Sequence, residues 1–416
     1  MRIDEICERI VDCLNRTAPV VDHATEFKMI RTTNVRDGWI DLSDVKFVDE
    51  QTFEKWTRRE LPKLGDIVLT REAPLGEVGM IRTDDRVFLG QRTVLYRADS
   101  SMLDSRYLLY ALQGADLQQQ IRAFGSGSTV EHMRVPDAKE LLVALPDLET
   151  QRQIGSILGR LDDLIENNTW RIAILEEMAR RIFEEWFVHF RAPGCEGLPL
   201  IDSPLGPIPM GWEVRPIGEV FEVTGGGTPS KAVPSFWEEG TIEWYTPSDL
   251  TGSRTHFLDA SALQITELGL QKSSARLFPP LCVMMTSRAT LGVFSINATP
   301  ATTNQGFITC IPNRGAPLYY LYFWLRHNAA EFERQASGAT FKEITKGTFK
   351  KLPMALPQIA LRQRFNSAIE PMMGLILNLE RQIRNLRVQR DLLLPKLISG
   401  EIDLSAAGAP VMEAAE

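Results

Sequence analysis

The pattern of apolar positions along the chain is most regular in residues 154–186. Large apolar side chains recur there at alternating spacings of four and three, as at the a and d positions of a coiled-coil helix. The same pattern returns 211 residues later, in residues 365–397. The marker positions of the two seams are Ile154, Leu161, Asn168, Leu175, Trp186, Phe365, Met372, Leu379, Leu386 and Leu393. Two such helices at a fixed offset predict a duplicated chain whose halves meet through an intramolecular helix pair.

The two seam segments differ in charge. Residues 147–191 hold six basic and nine acidic side chains, whereas residues 357–396 hold seven basic and three acidic ones. Opposite net charges favour pairing of the two helices with each other over self-association. An antiparallel pair would relate the halves by a pseudo-two-fold axis. Asn168 either fixes the register of the pair or marks a hydrated position, and Pro371 must kink the second helix or lie in its first turn.

The segment before each seam helix repeats as well. Short strands and turns dominate residues 27–97, helical periodicity follows, and residues 1–22 read as a short amphipathic helix. Residues 69–76 match residues 285–292, residues 90–92 match 304–306, and residues 125–129 match 336–340. We therefore predict an α+β protein with two tandem globular domains and a long antiparallel coiled coil. The predicted segments are a first domain (1–146), a central helix (147–191), a Pro/Gly-rich linker and second domain (192–356), a C-terminal helix (357–402) and a flexible tail (403–416).

Composition limits the function classes. With 416 residues, 44% hydrophobic and 24% charged, the chain is an ordinary globular protein of several domains. No apolar run reaches the roughly 18 residues of a membrane span, and residues 1–13 lack the apolar core of a signal peptide. The five cysteines form no CxxC pair, which favours reduced thiols in the cytoplasm and implies no metal site.

The net charge of −8 argues against a conventional basic DNA-binding domain. Residues 1–146 carry 20 basic and 24 acidic groups, and residues 192–356 carry 13 and 14. If the protein binds DNA, local patches or a partner must supply the contacts to phosphates.

No catalytic motif emerges from the sequence. Residues 225–231 (GGGTPSK) lack the second glycine before the lysine and the hydroxyl residue after it that a P-loop needs. GxGxxG, GxSxG and HExxH motifs are absent from the sequence, and the five histidines are scattered. This favours a binding scaffold that has no cofactor of its own over an enzyme.

Polar residues instead recur at matching positions of the repeat. Thr70, Arg71, Gln91 and Arg92 in the first half, and Thr286, Ser287, Arg288, Asn304 and Gln305 in the second, are predicted to lie in loops between strands. Arginine suits guanine, and asparagine or glutamine suits adenine, in the major groove. The hydroxyl-rich loops 126–129 and 337–340 suit phosphates. Each feature alone favours a capped turn over DNA contact, and it is the joint recurrence at matching positions that favours DNA contact.

The order of several short segments resembles the specificity (S or HsdS) subunits of type I restriction–modification systems over nearly the whole chain. Residues 226–230 (GGTPS) and 246–250 (TPSDL) resemble the opening of a target-recognition domain in that family. Residues 145–146 and 356–357 (both LP) resemble the starts of its two spacer helices, and residues 394–402 (LPKLISGEI) resemble its C-terminal signature. The first domain departs from the pattern: it has no GGTPS segment, and residues 31–35 (RTTNV) stand where the second domain has its TPSD segment.

The resemblance implies a function and a set of partners. In this family each recognition domain reads one half of a bipartite, asymmetric double-stranded DNA target, and the helix pair sets the gap. Two modification subunits, which use S-adenosylmethionine, dock on the helices; restriction subunits add chemistry that depends on ATP and magnesium. The predicted DNA-contacting residues are Thr32, Asn34, Arg71, Gln91, Arg92, Ser126, Ser128, Thr129, Thr228, Ser230, Lys231, Ser287, Arg288, Asn304, Gln305, Ser337, Thr340 and Lys342. The alternatives are an assembly scaffold that binds no DNA, and a nuclease that uses unrecognised carboxylates.

Overall fold

The computed structural model describes residues 1–14, 16–125, 131–253, 255–338, 342–402 and 404. The chain divides into two compact units: unit 1 is Met1–Glu166 with Arg384–Glu416, and unit 2 is Asn167–Ile383. The division cuts across both long helices, so that each unit contains a part of each helix. Apart from Leu404, the predicted tail lies outside the described residues.

Unit 1 is built on a four-stranded antiparallel sheet. Its strands are β1 (Cys7–Asp12), β2 (Phe27–Ile30), β3 (Val35–Arg36), β4 (Trp39–Ile40), β5 (Lys46–Phe47), β6 (Ile67–Arg71), β7 (Leu75–Met80), β8 (Arg86–Leu89) and β9 (Thr93–Ala98). Its helices are α1 (Glu50–Trp56), α2 (Ser105–Gln113), α3 (Ala115–Phe124), α4 (Val135–Ala138) and the first part of α5 (Leu148–Phe187). The main sheet has the order β1-β9-β6-β7, and a smaller sheet has the order β5-β2-β8.

Unit 2 repeats this plan. Its strands are β10 (Leu200–Ile201), β11 (Ile208–Pro209), β12 (Glu213–Pro216), β13 (Glu222–Gly225), β14 (Ile242–Tyr245), β15 (Phe257–Leu258), β16 (Gln264–Ile265), β17 (Val283–Thr286), β18 (Phe294–Asn297), β19 (Ala301–Thr303), β20 (Phe307–Ile311) and β21 (Pro353–Leu356). Its helices are α6 (Ile217–Val220), α7 (Pro247–Ser253), α8 (Glu267–Gln271), α9 (Leu318–His327), α10 (Ala329–Gln335), α11 (Lys346–Lys351) and most of α12 (Ile359–Ile398). The order β13-β20-β17-β18 reproduces β1-β9-β6-β7, and β16-β14-β19 reproduces β5-β2-β8. In both small sheets the second pair of strands is parallel.

The predicted helix at the start of the chain is wrong. Ile3–Glu5 form a single 3₁₀ turn, and β1 then pairs antiparallel with β9, where Ile10 lies opposite Tyr96. Ile3 and Ile6 are fully buried in the core of unit 1. The apolar spacing of this segment fits a helix, but pairing with a distant strand satisfies its backbone and decides its conformation.

The two long helices form the predicted antiparallel pair. In unit 1, Asp162 of α5 pairs with Arg390 of α12 at 3.0 Å. In unit 2, the side-chain amide of Asn168 donates to Oε1 of Gln382 at 3.2 Å. In the same unit the rings of Phe187 and Phe365 lie 5.1 Å apart. Within unit 2 the partner number therefore falls along α12 as the residue number rises along α5, which is the antiparallel direction. Asn168 is buried and therefore has a polar partner across the seam.

Pro371 lies well inside α12 and not in its first turn. Its ring nitrogen has no hydrogen to donate, so the helix lacks one hydrogen bond to the carbonyl of Ser367. None of the helices in the described part of the chain is long and apolar enough to cross a membrane.

Candidate nucleic-acid interface

The turn that follows β6 in unit 1 has an equivalent after β17 in unit 2. Oγ1 of Thr70 accepts the N–H of Glu77 at 2.9 Å, and Oγ1 of Thr286 accepts the N–H of Val293 at 3.0 Å. Both threonines are fully buried inside strands and not in loops as predicted. They brace the turn, and this role leaves their hydroxyls inside the protein.

The backbone of this turn is unusual in both units. Ala73 and Ala289 occupy the left-handed region, with φ of 47° and 61°, and are followed three residues later by Gly76 and Gly292 with φ of 90° and 81°. Residues other than glycine rarely adopt this backbone conformation. Its recurrence at matching positions therefore confirms the repeat at the level of the backbone.

Three separate segments meet at each turn through equivalent backbone hydrogen bonds. In unit 1, the N–H of Arg71 donates to the carbonyl of Arg92 at 2.7 Å, and the N–H of Met133 donates to the carbonyl of Arg71 at 3.0 Å. In unit 2, the same bonds join Ser287 to Gly306 at 2.8 Å and Ile344 to Ser287 at 3.0 Å. The fold therefore brings together the segments on which the repeated polar residues lie.

In unit 1 these segments enclose a polar surface pocket of about 440 Å³, whose charged lining is three arginines with Asp12 and Glu72. The predicted residues Arg71, Gln91 and Arg92 line it, together with His132 and Arg134, which the prediction missed. A signal for the last two was present, because residues 131–134 occupy the positions of residues 342–345 in the repeat, where only Lys342 was selected.

The three arginines of this pocket differ in their hydrogen bonds and in their exposure to solvent. That of Arg71 donates to the carbonyl of Met133 at 3.0 Å and holds the loop. Arg92 is exposed and lies 3.4 Å from Glu72, whose carboxylate is also 3.3 Å from His132. Arg134 is exposed and pairs with Asp137 at 2.8 Å, which lowers the pKa of that carboxyl group. Arg92 and Arg134 are thus the long cationic side chains that reach solvent.

In unit 2 the GGTPS segment lies against the turn between β19 and β20. A Cβ on Gly226 would come within 2.1 Å of the carbonyl oxygens of Thr303 and Asn304, so only glycine fits there. The segment is anchored by the indole of Trp244, which donates to the carbonyl of Gly227 at 2.9 Å. The hydroxyl of Thr228 then donates to Oε1 of Gln305 at 2.6 Å, which joins two of the predicted residues directly.

Arg288 lies beside the segment that carries the predicted residues Ser337 and Lys342, since the N–H of Ala289 donates to the carbonyl of Lys342 at 3.2 Å. Its guanidinium donates to Oε1 of Glu343 at 2.9 Å, which raises the pKa of Arg288. The backbones of Glu343 and Ser337 exchange two hydrogen bonds of 2.9 Å. Lys342 is exposed, as are Ser230 and Lys231, whereas Asn304 uses its Oδ1 to accept the N–H of Gly306 at 2.8 Å.

Two of the predicted contact residues, Asn34 and Ser287, are buried inside the protein. The carboxamide of Asn34 accepts the N–H of Arg31 and donates to the carbonyl of Asp44, both at 2.9 Å. The side chain of Ser287 is buried between its two backbone partners. The hydroxyl of Thr32 is directed to the carbonyl of Ala73 at 3.1 Å. Neither Asn34 nor Ser287 presents its side chain to solvent. Ser126, Ser128, Thr129 and Thr340 lie outside the described residues.

The seam side chains of the long helices are largely used in pairing. Ile154, Phe365 and Leu379 are buried, and Leu161, Leu175, Trp186, Met372, Leu386 and Leu393 are partly buried. A different face of α5 in unit 2 exposes Trp170, Ile174 and Met178, at 65%, 57% and 45%. Their spacing of four residues aligns them along one side of the helix.

The described side chains offer no cluster of metal ligands. Among the residues that the structure describes, no group of three or more His, Cys, Asp and Glu side chains is arranged to hold a metal ion. The five cysteines are all free thiols.

Each of the two repeated α/β units has a polar turn cluster and contains a part of both long helices, so the chain is a duplicated α/β protein. The chain matches the family model for the type I restriction modification DNA specificity domain twice, at residues 22–177 and 209–385. These matches cover most of the chain, and the chain belongs to this family.

Individual relatives span the same length. The chain is 26% identical over 360 residues to the type I restriction enzyme MjaIX specificity subunit of Methanocaldococcus jannaschii, covering 85% of this chain and 81% of the relative. It is 22% identical over 424 residues to the HindI specificity subunit of Haemophilus influenzae, covering 87% and 90%. The crystal structure of the type I restriction–modification S subunit from M. genitalium superposes with a TM-score of 0.59 at 16% identity over 95% of both chains, which shows a shared fold.

Proposed function

We propose that this chain is the DNA sequence-specificity subunit of a type I restriction–modification enzyme, and that each unit reads one half of a bipartite target. The observation that carries the proposal is the recurrence of one turn cluster in both units of a chain from the specificity family. In each unit the cluster gathers long polar side chains from three segments. The protein itself supplies recognition and not catalysis.

The two clusters offer different chemistry to DNA. Unit 1 presents Arg92 and Arg134, and unit 2 presents Arg288, Gln305 and Lys342. Arginine donates two hydrogen bonds to guanine, glutamine pairs with adenine, and lysine contacts phosphate. Different sets in the two units support an asymmetric target.

The acidic character of the chain fits shared binding. Since the net charge is −8, the few exposed cations of each cluster cannot neutralise many phosphates. We therefore assign part of the phosphate contact to the modification subunits, which also carry S-adenosylmethionine. Restriction subunits, with ATP and magnesium, complete the proposed enzyme. A cytoplasmic location, beside DNA and these partners, belongs to the same proposal.

The exposed apolar face of α5 is the proposed docking surface for a modification subunit. Trp170, Ile174 and Met178 lie one turn apart and are unusually exposed for large apolar side chains. Aromatic and methionine side chains are enriched in the centres of protein interfaces. The seam residues that the sequence suggested for docking are buried or partly buried, so the exposed side chains of α5 are the ones that we propose for the first contact.

Co-expression with the modification subunit tests the function. The complex should methylate DNA at one split motif, and Arg288→Ala should lower the rate at that motif by about tenfold or more, since a bidentate base contact is worth about 1–3 kcal/mol. Arg215→Ala is the matched control, because Arg215 is equally exposed (52% against 53%) and also pairs with a glutamate, Glu213. Methylation that ignores sequence would refute the proposal.

The same experiment separates the alternatives. A scaffold that binds only protein predicts that Arg288→Ala leaves DNA binding by the complex unchanged. A nuclease predicts metal-dependent cleavage by the isolated chain, which the specificity function does not.

A further inference from the structure

A cluster of four charged side chains lies in unit 2 between its recognition domain and the two long helices. His256 and Glu380 are buried, and Glu176 and Arg326 are half-buried. His256, immediately before β15, is 7% exposed. Its Nε2 lies 3.2 Å from Glu176 of α5, and its Nδ1 lies 3.0 Å from Glu380 of α12. One imidazole ring therefore contacts a carboxylate from each helix.

Glu380 is the most constrained acid of the cluster. It is 6% exposed, and its two oxygens accept the backbone N–H groups of His256 at 2.7 Å and Phe257 at 3.1 Å. The start of β15 is thus attached to α12 by three contacts to a single side chain. A rotation or shift of the domain on this helix would break all of them together.

Arg326 of α9 completes the charge balance. Its guanidinium lies 2.5 Å from Glu176 and donates to the hydroxyl of Tyr322 at 3.1 Å. Two carboxylates from the helices are therefore matched by two cations from the recognition domain. Removing one partner of a buried pair is costly because the other charge stays without compensation.

The protonation of His256 agrees with this geometry. Burial by itself lowers the pKa of the ring, but Tyr322 and the hydrogen bonds with Glu176 and Glu380 outweigh it and raise the pKa to about 10. Both ring nitrogens are then donors at neutral pH, one to each helix. A neutral ring, with a single N–H, would leave one carboxylate unpaired.

The apolar seam alone does not define the register of the helix pair so strictly. A seam of Leu and Ile accepts slippage by a repeat, whereas a polar contact at a single position penalises it. Sliding one helix by one turn, about 5.4 Å, would move Glu176 or Glu380 out of reach of His256. The contacts of His256 with both helices therefore form only when the two helices are in one register.

We infer that His256 is a specificity-determining positioning residue, which fixes the second recognition domain on both helices in one register and so sets the gap between half-sites that the enzyme accepts. The inference rests on the proposed function and adds a residue that touches no DNA. The predicted contact residues decide which bases are read; His256 decides where the second set of contacts falls along the duplex.

In unit 1 a different set of polar and charged side chains joins the recognition domain to α5 and α12. There the buried Asp162 of α5 pairs with Arg390 of α12 and accepts the hydroxyl of Tyr110 from α2 at 2.6 Å. In unit 2 both helices contribute acids, whereas in unit 1 they contribute one acid and one base. In unit 2 the two helices supply the acids Glu176 and Glu380, and the recognition domain supplies the cations His256 and Arg326. The charges of the second recognition domain therefore complement those of its own part of the helix pair.

The test uses the complex with the modification subunit and DNA substrates that differ only in the gap, at the native length and one base pair longer or shorter. The wild type should prefer the native gap by about tenfold or more, about 1.4 kcal/mol. His256→Gln should reduce this preference severalfold while the preferred half-site sequences stay the same. His189→Gln, at an exposed histidine that follows α5, is the control and should leave the preference unchanged.

A second variant separates register from stability. In the double variant H256L/E380Q one cation and one acid are removed together while Glu176 keeps its pair with Arg326, which is tolerated far better than removal of one partner. The glutamine that replaces Glu380 would still accept a backbone N–H through its side-chain carbonyl. This variant should fold and methylate, yet lose the gap preference; it decides the matter if His256→Gln does not fold. A folded double variant that keeps the wild-type gap preference overturns the inference. A wild-type complex without sequence-directed methylation overturns the proposed function itself, which is a different result.

Discussion

Substitution of Arg390 by leucine should destabilise unit 1 by about 3 kcal/mol. Asp162 is fully buried, and Arg390 is its nearest cation, at 3.0 Å. Breaking a buried ion pair by removing one partner costs about 3–5 kcal/mol. Two contacts remain in the variant, since Tyr110 still donates at 2.6 Å and Arg82 lies 3.8 Å away. They place the expected loss at the lower end of that range.

Hydrogen exchange measures this loss where it occurs. Residues 105–113 form α2, whose apolar side chains lie in the core of unit 1 and whose Tyr110 contacts Asp162. The free energy of opening for these amides should fall by about 3 kcal/mol in Arg390→Leu. An exposed pair gives the control: Arg106 and Asp163 are 3.2 Å apart at the surface, so Arg106→Leu should change the opening free energy by less than about 1 kcal/mol.

The double variant D162L/R390L tests the reasoning itself. Removing both charges leaves the buried hydroxyl of Tyr110 without its acceptor, a cost of about 1–3 kcal/mol that apolar packing partly offsets. Arg82 loses Asp162 but keeps Asp163 at 3.6 Å. The double variant should therefore be more stable than Arg390→Leu alone. If the double variant is the less stable of the two, or if Arg390→Leu costs less than about 1 kcal/mol, the account of Asp162 as a charge that depends on Arg390 is refuted.

Three further predictions concern pH, DNA and partner binding. The raised pKa of His256, about 10, means that its stabilisation is complete below pH ~6.5 and is lost as pH rises through about 10; the difference in unfolding free energy between wild type and His256→Gln should therefore shrink from pH 7 to pH 10. Arg92→Ala with Arg134→Ala should relax the sequence preference in the half-site that unit 1 reads, by about 1–3 kcal/mol for each lost guanine contact, whereas an unchanged half-site preference would exclude both residues from base reading. Trp170→Ala should weaken co-purification of the modification subunit by about tenfold or more, while the exposed neighbour substitution Arg171→Ala should not.

Local periodicity and internal repetition were enough to predict the helix pair and the duplication. The seam of α5 and its copy in α12 follow from the spacing of apolar residues, because a helix that buries one face must repeat them every three or four positions. The duplication follows from matched segments, and it correctly anticipated that residues near Arg71 and Arg288 would occupy equivalent turns. The family resemblance required only the order of short motifs, which is why it agrees with the later comparison.

Tertiary structure decided which side chains are available for function. Whether the first residues form a helix or a strand depended on β9, more than eighty residues away, and no local pattern contains that partner. Thr70, Thr286, Asn34 and Ser287 looked like surface contacts, but their hydrogen bonds or burial arise only when distant segments meet.

The pairing of buried charges was equally invisible in the sequence. His256 and Glu380 are separated by 124 residues, and Asp162 and Arg390 by 228. A charged residue in a helical pattern is predicted to lie on the solvated face, because burying a charge is unfavourable without a partner of opposite charge. The sequence pattern does not show such a partner; only the fold does. The sequence thus determined that the chain has two recognition units on a helix pair, whereas the packed structure decided which residues face outward and which charged contacts hold α5 and α12 together within each unit.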